Sequence, residues 1–503
     1  SISASGAGGL FLDGREGSDV YGVFLGDSSQ FQGPLTIQDS GAEWYVDRLT
    51  VSASPNDDVV NLNINGGNLE FSGTLGGTAF TLFSIPAAGH GLEAATIKLH
   101  AGNDTYDARG VTTNLDGLPI TIRPDDTDSK GNDQLWGGAA NETFFFSRAS
   151  GDDILYTAGG GDDTISFRIV DAPLAISLGA DPGVTIDNTL LTTEADDPLT
   201  EIDLETGSGA EGWVRVRDFT IYPYGLSSLR FDWFSVENFH GSRRPNDVLA
   251  GRDAQSVWQL GKDNQNTYTA EGHTIAFKYI EVLQGGADVD LFDFTYAERQ
   301  RFAVKGGEGD DVFRLRDGVV LTDIPSAPYF NSAIRSGFNG QGGMDVIDFS
   351  LLTAPVTAAQ FNLGTGFLAN IVTYQGNPTS DRLLNIDVIL GTAYDDTLNG
   401  NTSAPTTFYG NGGNDTLEGG SGDDTFISGN LAVVPTADFL SGSASTPIGV
   451  DLPGSDGNDA RFGKGGSDSY RFDNDWGVDT LTDSAGSLDT TDFRLYPNPV
   501  TVT

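Results

Sequence analysis

Aspartates that recur at one position of a glycine-rich frame are the residues of this chain best suited to chemistry. GNGGNDTLE places Asp415 sixth of nine residues, and the adjoining GGSGDDTFI places Asp424 sixth again. The frame reads G-G-x-G-x-D-x-U-x, where U is a large apolar residue. Its clearest copies hold the sixth-position aspartates Asp163, Asp311, Asp345, Asp415, Asp424, Asp459 and Asp468. Such repetition predicts a structural unit that is stacked many times.

Looser copies of the frame are shorter or contain fewer glycines. They hold the aspartates Asp19, Asp104, Asp133, Asp153, Asp290, Asp396 and Asp479, with weaker matches at Asp58 and Asp247. Perfect nine-residue steps join Asp415 to Asp424 and Asp459 to Asp468, whereas most other gaps are longer. We therefore expect most turns to be longer than an ideal repeat, and many of their ligand shells to be incomplete.

The frame supplies the oxygen ligands of a hard cation. Glycine permits positive φ, so the loop can curl until its carbonyl oxygens converge, and the aspartate adds a carboxylate. Ca²⁺ takes roughly six to eight oxygens in a flexible site, and an adjacent turn can supply those that one turn lacks. The predicted metal ligands are Asp104, Asp133, Asp153, Asp163, Asp290, Asp311, Asp345, Asp396, Asp415, Asp424, Asp459 and Asp468, with Gly160, Gly306, Gly309, Gly343, Gly410, Gly413, Gly419, Gly422, Gly457, Gly463 and Gly466.

The chain resembles the RTX family of secreted bacterial proteins, whose calcium-binding nonapeptide has this frame. The resemblance implies a right-handed parallel β-roll, in which glycines form each turn and the U side chain of a short strand points inward. It also implies export through a one-step secretion channel. Calcium is then expected to drive folding outside the cell.

A second repeat lies upstream of several turns and has the pattern apolar-acidic-x-apolar-x-Gly. It appears as VENFHG from Val236, IEVLQG from Ile280 and IDVILG from Ile386. Alternation of this kind predicts a strand that leads into a turn. The sequence therefore predicts an all-β, parallel β-solenoid, a β-roll or β-helix with irregular, longer-than-ideal coils. The combination resembles the repeated units of large bacterial surface-layer, fibre and adhesin-like proteins.

The distribution of repeats predicts five segments. Residues 1–169 and 233–426 are expected to be β-solenoid with RTX-like turns. Residues 170–232 lack the nonapeptide and are expected to be an irregular insertion or a small β-domain. Residues 427–453 are expected to be a loop, and residues 454–503 to be terminal RTX-like turns with a capping strand.

Composition limits the partners of the chain. The 503 residues include 71 Asp and Glu against 27 Lys and Arg, a formal net charge of −44. Self-repulsion of this size opposes compaction unless the charge is spread out or neutralised by cations. Nucleic acid is excluded as a partner because phosphate binding needs a basic face. Cysteine is absent, so neither a disulfide nor a thiol nucleophile is expected, and no apolar run is long enough to predict membrane insertion.

The sequence predicts no catalytic residue and no enzyme. It contains neither the H-E-x-x-H motif of zinc proteases nor the G-x-S-x-G elbow of hydrolases. Paired carboxylates such as Asp310 and Asp311 could serve as general acid and base. A β-helical polysaccharide-modifying enzyme therefore stays open as an alternative, although the position of these pairs inside the frame favours calcium.

The leading hypothesis is a secreted, calcium-stabilised structural protein of a bacterium. We expect it to self-assemble through solenoid ends or faces into an extracellular fibre, matrix or surface layer, because exposed strand edges invite association. The alternative is an adhesin segment that binds a polysaccharide or a cell surface through residues 170–232.

Overall fold

The protein consists of β-strands and turns, which confirms the predicted all-β class. In the parts of the chain that the computed structural model describes, the only helical elements are 3-10 turns at Leu115–Gly117 and Trp233–Ser235. The structure describes residues 10–15, 17–25, 35–40, 46–124, 131–147, 151–168, 174–178, 184–185, 205–206, 211–216, 227–243, 247–261, 266–295, 299–300, 302–317, 320–321, 337–359, 372–374, 377–378, 382–401, 403–427, 431–433, 448–451, 458–472, 478–484 and 488–494.

The chain divides into two compact units. The first contains Ser1–Thr185, Leu204–Asp247 and Ile275–Ile280. The second contains Ile186–Asp203, Val248–Thr274 and Glu281–Thr503. The five predicted segment boundaries stay predictions.

Short strands make up both units. As far as residue 240 they are β1 Leu10–Asp13, β2 Val20–Phe24, β3 Leu35–Gln38, β4 Arg48–Ser52, β5 Asp58–Asn65, β6 Asn68–Leu75, β7 Thr78–Pro86, β8 Ala94–Lys98, β9 Thr105–Gly110, β10 Ile120–Arg123, β11 Gln134–Trp136, β12 Glu142–Phe145, β13 Asp152–Thr157, β14 Thr164–Ser166, β15 Leu174–Ser177, β16 Val184–Thr185, β17 Glu205–Thr206, β18 Glu211–Val216, β19 Ser227–Asp232 and β20 Asn238–His240.

The later strands are β21 Val248–Ala250, β22 Ser256–Leu260, β23 Asn266–Ala270, β24 His273–Lys278, β25 Val282–Gln284, β26 Asp290–Phe294, β27 Arg299–Gln300, β28 Ala303–Gly307, β29 Val312–Arg314, β30 Val320–Leu321, β31 Gly337–Gln341, β32 Val346–Asp348, β33 Val356–Ala359, β34 Val372–Tyr374, β35 Asn377–Pro378, β36 Arg382–Leu384, β37 Val388–Leu390, β38 Thr397–Asn399, β39 Thr407–Tyr409, β40 Thr416–Glu418, β41 Thr425–Ile427, β42 Leu431–Val433, β43 Ile448–Asp451, β44 Ala460–Phe462, β45 Ser469–Arg471, β46 Thr480–Thr482 and β47 Thr490–Asp492.

Parallel pairing arranges the first unit in two main rows. Row A joins β5, β9, β11 and β13 in that order. Row B joins β2, β4, β8, β10, β12, β14, β20 and β24. Antiparallel pairs interrupt the pattern where β5, β6 and β7 form a meander and where β18 pairs with both β15 and β19.

Among the described residues, the second unit has three long parallel rows, besides the short parallel pair of β27 and β30. Row C joins β22, β26, β29, β32, β37, β39, β41, β45 and β47. Row D joins β33, β38, β40, β44 and β46. Row E joins β21, β25, β28, β31 and β36. Within the predicted loop 427–453, β42 and β43 form an antiparallel pair.

The register of these rows aligns the U residues into columns that form the core. In row C the buried rings of Phe408 and Phe426 stack at 5.0 Å, and those of Phe426 and Tyr470 at 5.2 Å. In row B the column runs through Val51, Ile97, Ile122, Phe144, Ile165, Phe239 and Phe277, all of them buried. Burial of such side chains stabilises the fold by about 1.5–3 kcal/mol each. The apolar columns therefore fix the turns that precede the strands.

Candidate metal sites

An acidic residue stands immediately before most strands of rows A to D, and its carboxylate bridges to the neighbouring turn. In row A the backbone N–H of Asp58 donates to Asp104 Oδ1 at 2.7 Å. The N–H of Asp104 donates in turn to Asp133 Oδ1 at 2.8 Å, and that of Asp133 to Asp153 Oδ1 at 3.0 Å. One carboxylate oxygen of each aspartate is therefore fixed by the turn before it.

The other rows repeat this bond. In row B it joins Asp19 to Asp47 (2.6 Å), Glu142 to Asp163 (2.8 Å) and Asp163 to Glu237 (2.9 Å). In row C it joins Asp290 to Asp311 (2.8 Å), Asp311 to Asp345 (3.0 Å), Asp345 to Asp387 (2.9 Å), Asp424 to Asp468 (2.8 Å) and Asp468 to Asp489 (3.2 Å). In row D it joins Asp396 to Asp415 (2.7 Å), Asp415 to Asp459 (3.0 Å) and Asp459 to Asp479 (2.9 Å).

The fifth position of the frame makes a second inter-turn hydrogen bond, from its backbone N–H to a carboxylate of the preceding turn. The N–H of Asn414 donates to Asp395 Oδ1 at 2.8 Å, and the N–H of Met344 to Asp310 Oδ1 at 2.8 Å. Here the later turn donates to the earlier one, which reverses the direction at the sixth position. The Asp-Asp doublets therefore brace adjacent turns in both directions, a role that the sequence did not predict.

In one group of turns, donors of the chain itself use both oxygens of the sixth-position carboxylate. Asp396 accepts the N–H of Val356 on Oδ1 at 2.7 Å, and Thr392 donates to it through its N–H at 2.5 Å and its hydroxyl at 2.9 Å. Asp424 accepts the N–H of Thr406 and the N–H of Gly420, both at 2.8 Å. We call these the saturated turns, because the protein already supplies the hydrogen bonds that a buried carboxylate needs.

In a second group the other oxygen is buried and has no hydrogen-bond partner among the described residues. These atoms are Oδ2 of Asp19, Asp104, Asp133, Asp163, Asp311, Asp345 and Asp468, and Oε2 of Glu142. We call these the open turns. Burial of an ionised oxygen without a partner costs several kcal/mol, so each of these atoms calls for a cation or a proton. Their hard, anionic character fits Ca²⁺. Oδ2 of Asp479 also lacks a hydrogen bond but is ion-paired with Arg461.

Burial accordingly raises the pKa values of several of these carboxyls. It raises the pKa of Asp104 to about 9, that of Asp345 to about 8 and that of Asp133 to about 7, and neighbouring aspartates add repulsion. The pKa values of Asp311 and Asp163 are also raised by burial. Without a cation, several of these groups would hold a proton near neutral pH, and a bound divalent cation would displace it.

The glycines of the frame make room for the carboxylate. A Cβ on Gly306 would overlap Oδ2 of Asp311, and the first-position glycines Gly410, Gly419 and Gly463 face their own aspartates in the same way. Several fourth-position glycines have positive φ: Gly309 at 114°, Gly343 at 114°, Gly413 at 118° and Gly466 at 123°. Gly160 faces open space, Gly422 lies against the backbone of residues 404 and 405, and Gly457 lies outside the described residues.

One turn of row D carries its own counterion. Arg461 occupies a U position in row D and is fully buried. Its guanidinium lies 3.0 Å from Asp459 Oδ2 and 2.9 Å from Asp479 Oδ2. The guanidinium of Arg461 therefore neutralises the carboxylates of Asp459 and Asp479, and a metal ion is needed less there than in row A.

The described parts of the chain contain two clusters of three carboxylates, and within each cluster the three carboxylates place oxygens within 4.8 Å of one another. One contains Asp19, Asp39 and Asp47, and the other Asp468, Asp483 and Asp489. Asp468 was among the metal ligands predicted from the sequence, and the other five residues were not.

Other acidic residues that accept the inter-turn hydrogen bond were also absent from the predicted metal ligands, among them Glu237 and Asp387. Both are the acidic residue of the apolar-acidic-x-apolar-x-Gly repeat, in VENFHG and IDVILG. That repeat was a usable signal, because its acid stands immediately before a strand, as the sixth-position aspartate does.

No family model matches the chain, and no curated protein sequence is significantly similar to it. Within the described residues no helix is long and apolar enough to span a bilayer. The rows of carboxylates and their buried, partnerless oxygens are therefore the basis for a functional assignment.

Proposed function

We propose that this chain is a calcium-stabilised parallel β-solenoid of the RTX type that serves a structural role outside the cell. The observation that carries the proposal is the group of buried Oδ2 atoms in the open turns, which lack a hydrogen-bond partner among the described residues. They recur along rows A, B and C at the turns that precede parallel strands. A cation at each would join successive turns and remove the repulsion between them.

Calcium would then act as a folding switch. Where free calcium is scarce, a chain of net charge −44 repels itself and buried carboxylates are costly. Extracellular calcium modules bind at about 10⁻⁴ to 10⁻³ M, so secretion into millimolar calcium would release the binding free energy as folding free energy. This supports a location outside a bacterial cell or on its surface.

Exposed apolar residues support self-assembly. Leu481 in β46 aligns with the buried column of row D yet is 39% exposed, and Leu488 beside β47 is 75% exposed. Among the described strands, β46 pairs with β44 and β47 with β45, each on one edge only. A second edge without a partner among the described strands, next to exposed leucines, favours association with another copy of the chain. These residues support the proposal that the protein assembles into an extracellular fibre, matrix or surface layer.

The test is far-ultraviolet circular dichroism of the whole chain with calcium, with chelator, and with magnesium as the control. We expect chelator to weaken the β signal and to lower the temperature of the cooperative thermal transition markedly, and we expect magnesium to restore neither. Negative-stain electron microscopy of the same samples should show filaments or sheets in calcium alone. Full β ellipticity and an unchanged melting temperature in chelator would rule out the calcium switch, and dispersed monomers in calcium would rule out the assembly.

A further inference from the structure

Three carboxylates from two successive turns converge beside row C. Asp468, Asp483 and Asp489 each place an oxygen within 4.8 Å of the other two. Asp468 is a sixth-position aspartate, whereas Asp483 directly follows β46 and Asp489 directly precedes β47. In this cluster a third carboxylate, that of Asp483, joins the pair of Asp468 and Asp489, which the inter-turn hydrogen bond of row C already relates.

Fixed donors orient each member of the cluster. The hydroxyl of Tyr470 donates to Asp483 Oδ2 at 3.2 Å. The N–H of Asp468 donates to Asp489 Oδ1 at 3.2 Å, and Asp468 Oδ1 accepts the N–H of Asp424 at 2.8 Å. The ring of Tyr470 is itself held by stacking on Phe426, so the carboxylates are positioned before any ligand arrives.

The second oxygen of Asp468 points to a missing partner. The side chain is fully buried, and Oδ2 has no hydrogen-bond partner among the described residues. A Cβ on Gly463 would overlap this oxygen, and it would lie 2.5 Å from the Tyr470 hydroxyl and 2.8 Å from Asp483 Oδ2. Oδ2 of Asp468, the Tyr470 hydroxyl and Oδ2 of Asp483 therefore surround the position that a Cβ on Gly463 would occupy. Burial, together with repulsion from the neighbouring acids, raises the pKa of Asp468 to about 6.

The same arrangement recurs in the first unit, which argues against a chance cluster. GREGSDVY and GKGGSDSY share a glycine, a Ser-Asp pair and a tyrosine at equal spacing. In the first unit, Tyr21 donates its hydroxyl to Asp39 Oδ2 at 2.7 Å, as Tyr470 does to Asp483. The N–H of Asp19 donates to Asp47, as that of Asp468 does to Asp489.

We propose that Asp468, Asp483 and Asp489 form a dedicated three-carboxylate Ca²⁺ site, in which Asp483 adds to the inter-turn pair of Asp468 and Asp489, with Tyr470 as a positioning residue. Three carboxylates provide more charge than an open turn, and the exposure of Asp483 and Asp489 leaves room for water to complete the shell. The site deepens the proposed function, because it assumes that calcium binds this chain. It also assigns a role to the tyrosine at the U position.

The test is a titration of the whole, calcium-free chain with Tb³⁺, read as luminescence excited through tyrosine, together with equilibrium dialysis of Ca²⁺. Asp483→Asn removes one ligand while its amide oxygen can still accept from Tyr470. Asp492→Asn is the matched control, because it changes the net charge equally and lies on β47 outside the cluster, paired with Arg494. We expect Asp483→Asn to weaken one site about tenfold or more and Asp492→Asn to leave every site unchanged.

Tyr470→Phe keeps the core ring and guards against a folding defect in the first variant. It should weaken the same site about tenfold and remove its sensitised luminescence, since the positioning hydroxyl and the nearest tyrosine are both lost. Equal titrations of Asp483→Asn and Asp492→Asn would overturn this site while wild-type calcium binding stands. If the wild-type chain binds no calcium, the proposed function falls with it.

Discussion

The backbone N–H of Asp311 donates a 3.0 Å hydrogen bond to Oδ1 of Asp345, the sixth-position aspartate of the next turn in row C. The other oxygen of Asp345 is buried and has no hydrogen-bond partner among the described residues. One carboxylate thus fixes the stacking of two turns and also presents an anionic atom to a cation. Strand register and metal binding are therefore expected to be thermodynamically linked.

The calcium-free protein is expected to lose stability as pH rises. Folding raises the pKa of Asp133 to about 7, that of Asp345 to about 8 and that of Asp104 to about 9, mainly through burial, from an unfolded value near 4. The folded state therefore binds more protons than the unfolded state. The bound protons stabilise the folded state fully below the unfolded pKa, and this stabilisation is lost as pH rises through the folded pKa values.

Calorimetry in chelator between about pH 5 and pH 9 measures this effect. The melting temperature should fall as pH rises, and saturating calcium should remove most of the fall because the metal replaces the protons. A melting temperature in chelator that is flat or increases over this range would contradict the raised pKa values.

Open and saturated turns should respond in opposite ways to loss of the carboxylate. Asp311→Asn removes a buried charge whose Oδ2 has no hydrogen-bond partner among the described residues, so it should preserve or raise stability in chelator and reduce the gain from calcium. Asp396→Asn leaves one of three donated hydrogen bonds without an acceptor, so it should cost about 1–3 kcal/mol with or without calcium. Urea unfolding of both variants, each with calcium and with chelator, provides the comparison. Equal losses in all four measurements would show that the two kinds of turn do not differ.

Glycine at the first position of the frame should be required where the carboxylate lies over it. Gly306→Ala places a methyl group against Asp311 Oδ2 and 2.5 Å from the carbonyl oxygen of Gly340. Because backbone must move, we expect a loss of about 1–3 kcal/mol and weaker calcium binding. Gly160→Ala is the matched control, since a Cβ there meets no atom within 4 Å. Similar melting temperatures for the two variants would be evidence against this geometry.

The sequence was sufficient to locate the turns but not to separate their two kinds. The nonapeptide frame located Asp311 and Asp345 because their spacing is local. The saturation of Asp396 depends on Val356, which lies 40 residues away and is brought near by the pairing of β33 with β38. A frame of nine residues carries no information about such a donor.

The same limit applies to the three-carboxylate clusters. Asp483 and Asp489 stand outside any nonapeptide, and they meet Asp468 because β45 pairs with β47. Arg461 was accessible from sequence, since GSDGNDARF places an arginine where the frame requires an apolar U residue. A charged residue at that inward position can be buried if it is paired with carboxylates of the same row.

Replacing Arg461 should make the carboxylates of Asp459 and Asp479, which the arginine now neutralises, depend on calcium for neutralisation. Arg461→Met keeps much of the side-chain volume but removes the cation between Asp459 and Asp479. Loss of one partner of a buried ion pair costs about 3–5 kcal/mol, because the other charges stay buried. In chelator the variant should therefore unfold at much lower urea concentration than the wild type, and calcium should restore more stability to it than to the wild type. Arg494→Met is the control, since its pair with Asp492 is exposed and should contribute little. If calcium stabilises Arg461→Met and the wild type equally, the arginine does not stand in for a metal ion in row D.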